Sequence, residues 1–182
     1  MKKKIIIFRN GSYGDALVAL PCLKLLQNEK KYSEIFYLTL QNKDTKFFKP
    51  NELFNQFGLN FRYKIILKEK FYFIKFIYFF LSNNFYKMYY LKEDPTNFLF
   101  NNNGKFSITL NILIEFFILK LLKVKKIEGL DCQNFDSSTN QKESLKLIKR
   151  FYKKKIDEKS ILKLFSKPKD LKKNSDIILC LG

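Results

Sequence analysis

The stretch IIIFRNGSYGDALVALPCLKLLQ, residues 5–27, decides the fold. Ile5, Ile6, Ile7 and Phe8 form a short continuous apolar run, three of them β-branched. That is the pattern of a strand buried on both faces. Asn10 to Gly14 reads as a tight turn, with Gly11 and Gly14 letting the backbone bend sharply. Asp15 then opens a predicted helix that runs to about Gln27, with Leu17, Leu20, Leu23 and Leu26 spaced for one face. Pro21 lies inside it. An interior proline costs a helix about 3 kcal/mol, so a kink or a restart is expected there. Ile35 to Leu40 (IFYLTL) is a second strand, and the first 40 residues form a βαβ unit.

Working outward, the alternation continues. Phe47 to Phe57 is a short helix, Phe61 to Leu67 a strand, Lys70 to Leu81 a helix and Tyr86 to Leu91 a fourth strand. Asp94 to Gly104, rich in turn formers, is a loop. Ser107 to Leu122 is a strongly apolar helix and Lys125 to Leu130 a fifth, short strand. Asp131 to Gln141 is a polar linker, Lys142 to Lys154 a basic helix, and Ile177 to Leu181 a late strand. Strands alternating with helices predict an α/β, Rossmann-like fold with a doubly wound, mainly parallel sheet. The length of 182 residues suits one domain with a short tail.

Composition removes several kinds of chemistry. There are no histidines, which excludes a Ser-His-Asp triad and most zinc or iron sites. The cysteines, Cys22, Cys132 and Cys180, are far apart and odd in number. They support neither a metal knuckle nor a disulfide framework, and fit a reducing, cytosolic setting. The formal charge is +18, which favours phosphate-rich partners such as nucleic acid, anionic lipid or anionic glycolipid. The densest stretch, Lys146 to Lys173, carries twelve basic and three acidic residues. Lysine simply filling exposed positions is an equal account of that charge. The two most apolar segments, Phe71 to Leu81 and Ile108 to Leu122, fall short of the roughly 20 residues a membrane span needs. They read as buried helices or as helices lying on a membrane surface.

In open α/β sheets ligands bind beyond the carboxyl ends of the strands, so the turn after Phe8 is the candidate site. Its GxxGD spacing is neither the dinucleotide fingerprint nor a P-loop. The start of the following helix offers unpaired N–H groups that favour anions. Asp15 can take a proton from an attacking hydroxyl. It can also serve as a first-turn carboxylate that caps N–H groups and complements the helix dipole, and position alone favours that second reading. Ser12 either hydrogen-bonds a ligand or closes the turn.

The same stretch resembles the N-terminal signature of the heptosyltransferase family, glycosyltransferase family 9. That signature is an apolar strand, a basic residue, a short turn ending in Ser-x-Gly-Asp and an apolar helix containing proline. Arg9, Ser12, Gly14, Asp15 and Pro21 match it. FYKMYYL, LNILIEFFILKLLKVKKIEGLD and IILCLG are similar to later family segments. The Asn10-Gly11 pair departs from the family's usual apolar or small residues before the serine. The resemblance implies the N-terminal half of a glycosyltransferase B architecture. Residues 1–174 would be the acceptor-side domain, and 175–182 the start of a C-terminal donor-binding domain that the chain lacks. It implies inverting transfer without a required metal or cofactor, from a nucleotide sugar such as ADP-heptose to a lipid A–core glycolipid or oligosaccharide acceptor. Asp15 would be the general base, with Ser12, Tyr13 and Gly14 as substrate-binding residues. The implied location is cytoplasmic, with peripheral contact at the anionic inner membrane face. Without the second domain, the chain alone is expected not to transfer sugar.

Two other classes compete. A basic nucleic-acid-binding module would use the charge and the interleaved Phe and Tyr, yet no recognisable motif supports specific nucleic-acid binding. Another Rossmann-like nucleotide binder is weakened by the missing glycine and by the lack of an acidic residue ending the second strand.

Overall fold

The computed structural model describes residues 3–10, 13–41, 50–91, 98–100, 107–130, 143–152 and 157–165. Among them are five strands, β1 (Lys4–Phe8), β2 (Glu34–Gln41), β3 (Arg62–Leu67), β4 (Lys87–Tyr90) and β5 (Lys126–Glu128). They form one sheet in the order β3-β2-β1-β4-β5. Every pairing is parallel, with Ile6 opposite Phe36 on one side and Met88 on the other. The fold is α/β and Rossmann-like.

The strand order explains the layering. The chain steps outward from β1 to β3, then returns across the sheet to β4 and steps the other way. Parallel crossovers share one hand, so connections running in opposite directions lie on opposite faces. Side chains alternate accordingly. Ile5, Ile7, Ile35, Tyr37 and Tyr89 face one core, closed by α1 (Tyr13–Asn28), α2 (Pro50–Gln56), α5 (Glu143–Tyr152) and α6 (Glu158–Leu164). Ile6, Phe8, Phe36, Leu38, Met88 and Tyr90 face the other, under α3 (Tyr72–Asn83) and α4 (Ile108–Leu121). The direction reverses between β1 and β4, and the crevice of a doubly wound sheet opens there.

Some sequence expectations shift. The first helix begins at Tyr13, so Gly14 is helical and Asp15 is its third residue. The first turn needs no intrahelical N–H bond, and a glycine there costs little. The helix also continues through Pro21 without a restart. Pro21 and its neighbours Leu20, Cys22 and Leu23 are buried, and that burial offsets the lost backbone bond. The helix α6 was not expected from the sequence. The two apolar helices are buried on one side only. Helix α3 buries Phe76, Phe79 and Phe80 and exposes Phe73, Ile74, Ile77, Tyr78 and Leu81. The linker 131–141, most of the loop 94–104, the strand 177–181 and the boundary at 174 lie outside the described residues, as do Cys132 and Cys180.

Glu115 and, one turn before it, Asn111 are the polar residues in the sheet-facing side of α4, and both are buried. Glu115 Oε2 accepts from the Tyr90 hydroxyl at 2.5 Å and its Oε1 from the Phe100 backbone N–H at 2.8 Å. Burial, then the Glu115 charge, pushes the Tyr90 phenol well above its ordinary value. A carboxylate inside an apolar helix thus pins the segment after β4 to the layer above it.

Past β5 the chain turns on Gly129, whose φ is 81°. A Cβ there would lie 2.5 Å from the Tyr90 carbonyl oxygen and 2.8 Å from the Phe151 ring, while Arg150 Nη2 donates to the Gly129 carbonyl at 2.8 Å. Neither the backbone angle nor the space admits a side chain. Gly129→Ala is expected to cost about 2–4 kcal/mol, from left-handed strain plus the backbone clash. Urea unfolding followed by circular dichroism checks this, and a loss under about 1 kcal/mol would contradict it.

Candidate functional site

The candidate site is built where β1 ends. The Arg9 backbone N–H donates to Leu38 of β2 at 3.1 Å, and the Leu91 N–H donates to Phe8 at 2.9 Å. Arg9 and Leu91 are therefore the first residues past two adjacent strands, on either side of the topological reversal. The Arg9 side chain closes that gap. Nη1 donates to the Leu91 carbonyl at 3.1 Å, and Nη2 stands 3.6 Å from Asp15 Oδ1. Arg9 is only 2% exposed, whereas the Asp15 side chain is 30% exposed. One guanidinium thus joins the ends of β1 and β4 and the first turn of α1.

The electrostatics follow from that burial. Desolvation lowers the Arg9 pKa, while the nearby Tyr37, Asp15 and Glu143 raise it. An arginine remains charged under such pressure, so the rim holds a permanent buried cation. Burial pushes the Tyr37 phenol up despite Arg9. It pushes the Cys22 thiol up to about 12, so neither group is a nucleophile at neutral pH. Asp15 is partly open and Glu143 is exposed, but among the described residues only Asp15 stands in ion-pair distance of the guanidinium. It sits in the first turn of α1, where the helix dipole also favours a carboxylate.

Of the sequence candidates, Asp15, Tyr13 and Gly14 come together on the first turn of α1, with Tyr13 and Gly14 exposed beside the rim. Ser12 and Gly11 lie outside the described residues. The structural role of Arg9 was only half visible in the sequence. Its place directly after a fully apolar strand was the available signal, since a charge there is forced into the sheet's edge. That its partners would be Leu91 and Asp15 was not readable, because one of them lies 82 residues away. Among the described residues no group of three or more Cys, Asp and Glu is placed to hold a metal ion. No helix among them is long and apolar enough to cross a membrane.

Compared with protein-family models, with curated proteins and with solved structures, the chain finds no match.

Arg9 and Asp15 should separate in their effect on stability. Arg9→Met removes the donor to the Leu91 carbonyl and leaves Asp15 without its buried counter-charge, for an expected loss of about 2–4 kcal/mol. Asp15→Asn keeps the side-chain shape at a half-open position and should cost about 1 kcal/mol. Chemical denaturation of both variants measures the ratio. Equal losses would make the pair a purely structural unit and remove the reason to regard Asp15 as available for chemistry.

Proposed function

We propose that this domain is the acceptor-side half of an inverting glycosyltransferase of the heptosyltransferase kind, within a glycosyltransferase B architecture. The carrying observation is Asp15. A half-open carboxylate is held 3.6 Å from a buried arginine at the reversal point of a doubly wound sheet. It stands in the Ser-x-Gly-Asp stretch on which the family resemblance rests. In this reading Asp15 accepts the proton of the acceptor hydroxyl as that oxygen attacks the anomeric carbon. The bond to the nucleoside diphosphate breaks on the opposite side, which inverts the centre. Arg9 positions the carboxylate. Tyr13 and Gly14, together with Ser12 of the same sequence stretch, are the substrate-binding residues of this reading, with the backbone around Tyr13 and Gly14 lining the cleft near the donor phosphates.

The donor, a nucleotide sugar of the ADP-heptose type, is bound mainly by a second α/β domain facing the same rim. The acceptor is a lipid A–core glycolipid or a related cell-envelope oligosaccharide. Its phosphates suit a chain of charge +18. The protein acts in the cytoplasm, peripherally at the inner membrane face.

The test joins this domain to the coding sequence that follows codon 182 in the native gene and assays transfer from ADP-heptose to a lipid A–core acceptor. Asp15→Ala should lower kcat by about 10²–10⁴-fold, the usual contribution of a general base, with the circular dichroism unchanged. Wild-type turnover by that variant would refute the assignment. Salt-sensitive binding to arbitrary duplex DNA that Asp15→Ala leaves intact would favour the nucleic-acid reading instead.

A further inference from the structure

The outer faces of α3 and α4 carry a second, separate feature. Ile74, Tyr78 and Leu81 repeat at helical spacing along α3, and Leu113, Phe117 and Leu121 along α4. All six are exposed, Tyr78 at 74%, Phe117 at 64% and Leu121 at 63%. The inner sides of the same helices bury Phe76, Phe79, Phe80 and Leu119 against one face of the sheet. Both helices thus carry apolar side chains on their outer as well as their inner faces. Exposed apolar stripes on two helices that cover the same face of the sheet point to an interaction surface.

Charge identifies the occupant. Helix α3 contains no acidic residue, and the one in α4, Glu115, is buried beneath it. The charges these helices present outward are Lys75 and Lys120. Lys70 just before α3 and Lys123 and Lys125 after α4 extend the basic rim, all of them exposed. Lys75 is paired with Glu69 at 3.1 Å, and the rim is otherwise strongly positive. We infer that this α3–α4 face docks flat on an anionic lipid bilayer, its apolar stripes entering the headgroup boundary while the lysines meet lipid phosphates. A second copy of the chain carries the same net charge of +18, and repulsion between two such chains disfavours self-association. Helices of 12 and 14 residues are too short to span, and they lie in the interface. Tyrosine and lysine suit that position, with apolar stems inside and polar tips in water.

The inference deepens the membrane placement in the proposed function, on which it rests, by assigning it to this face, and its geometric grounds are the exposed side chains of α3 and α4. The experiment is co-sedimentation of the full chain with vesicles of phosphatidylcholine alone or mixed with phosphatidylglycerol. The wild type should pellet with the mixed vesicles, and less so as salt rises. The variant Tyr78→Ser/Phe117→Ser/Leu121→Gln keeps every charge and should lose binding by about tenfold or more. Lys120→Gln and Lys123→Gln should each weaken it by about fivefold. Asp15→Ala should bind as the wild type does, so failure of the catalytic assignment and failure of this one are distinguishable. Circular dichroism checks that each variant is folded. Absence of binding to mixed vesicles overturns the inference. So does wild-type binding by the folded triple variant, which would mean diffuse charge attraction alone. A dimer in sedimentation velocity that the triple variant breaks would assign the face to a second copy.

Discussion

A buried guanidinium is the constraint on which the strand-end rim of this molecule, with its candidate site, depends. Arg9 follows four apolar residues without a break, so the chain carries a permanent charge into the edge of the core. An unaccompanied charge there would cost several kcal/mol. Its surroundings are arranged to meet that cost. The Leu91 carbonyl accepts from it, and Asp15, Glu143 and Tyr37 all favour the cation electrostatically. These groups come from α1, α5, β2 and the end of β4. The position of the first turn of α1 relative to the sheet is therefore fixed by charge as well as by packing.

The same four strand residues also divide the core. Ile5 and Ile7 point to a layer closed by four helices, while Ile6 and Phe8 point to a layer covered by only two. The second layer is dense with rings. Phe36 meets Phe79 and Phe85 edge-on, Phe8 meets Tyr90, and Phe76 stacks on Phe80 at 4.4 Å. Large aromatic side chains fill the space with few residues. Tyr90 carries the one hydroxyl that this core must satisfy beside β1, and Glu115 supplies its acceptor. The apolar character of α4 is thus interrupted where the core demands a polar partner.

How much of this was legible in the sequence depends on whether the cause is local. The IIIF and IFYLTL runs identify strands buried on both faces because continuous β-branched and aromatic stretches have few other uses. The parallel, doubly wound class followed from their alternation with helices. Arg62, Tyr63 and Lys64 broke the buried pattern in β3 because it is the edge strand, a fact of sheet order that no local window contains. Pro21 argued for a break that tertiary burial overrode. Helix α6 is one short, lysine-rich stretch whose Ile161 is stabilised by the α1 layer and not by its own periodicity. At the site, Asp15 was visible from its place after a strand and a glycine. Its partner was visible only as a residue out of place.

The sheet orders the two surfaces in space. Helices α1, α3 and α4 all begin at the rim where the parallel strands end, because each follows a strand directly or through its loop. The Arg9–Asp15 pair lies on that rim, and the outward stripes of α3 and α4 run away from it along one flank. A bilayer meeting that flank lies beside the site and does not cover it. The sheet then stands above the lipid by about one helix diameter, roughly 10–12 Å. That spacing leaves the rim open to solvent while keeping it within a few sugar units of the headgroups. For an acceptor anchored in lipid, such a geometry replaces a search through solution by a search over a surface, and the reacting hydroxyl is delivered at high effective concentration. An apolar flank and a carboxylate on the adjoining edge are therefore the two features that would let an α/β domain act, as proposed, on a membrane-bound sugar.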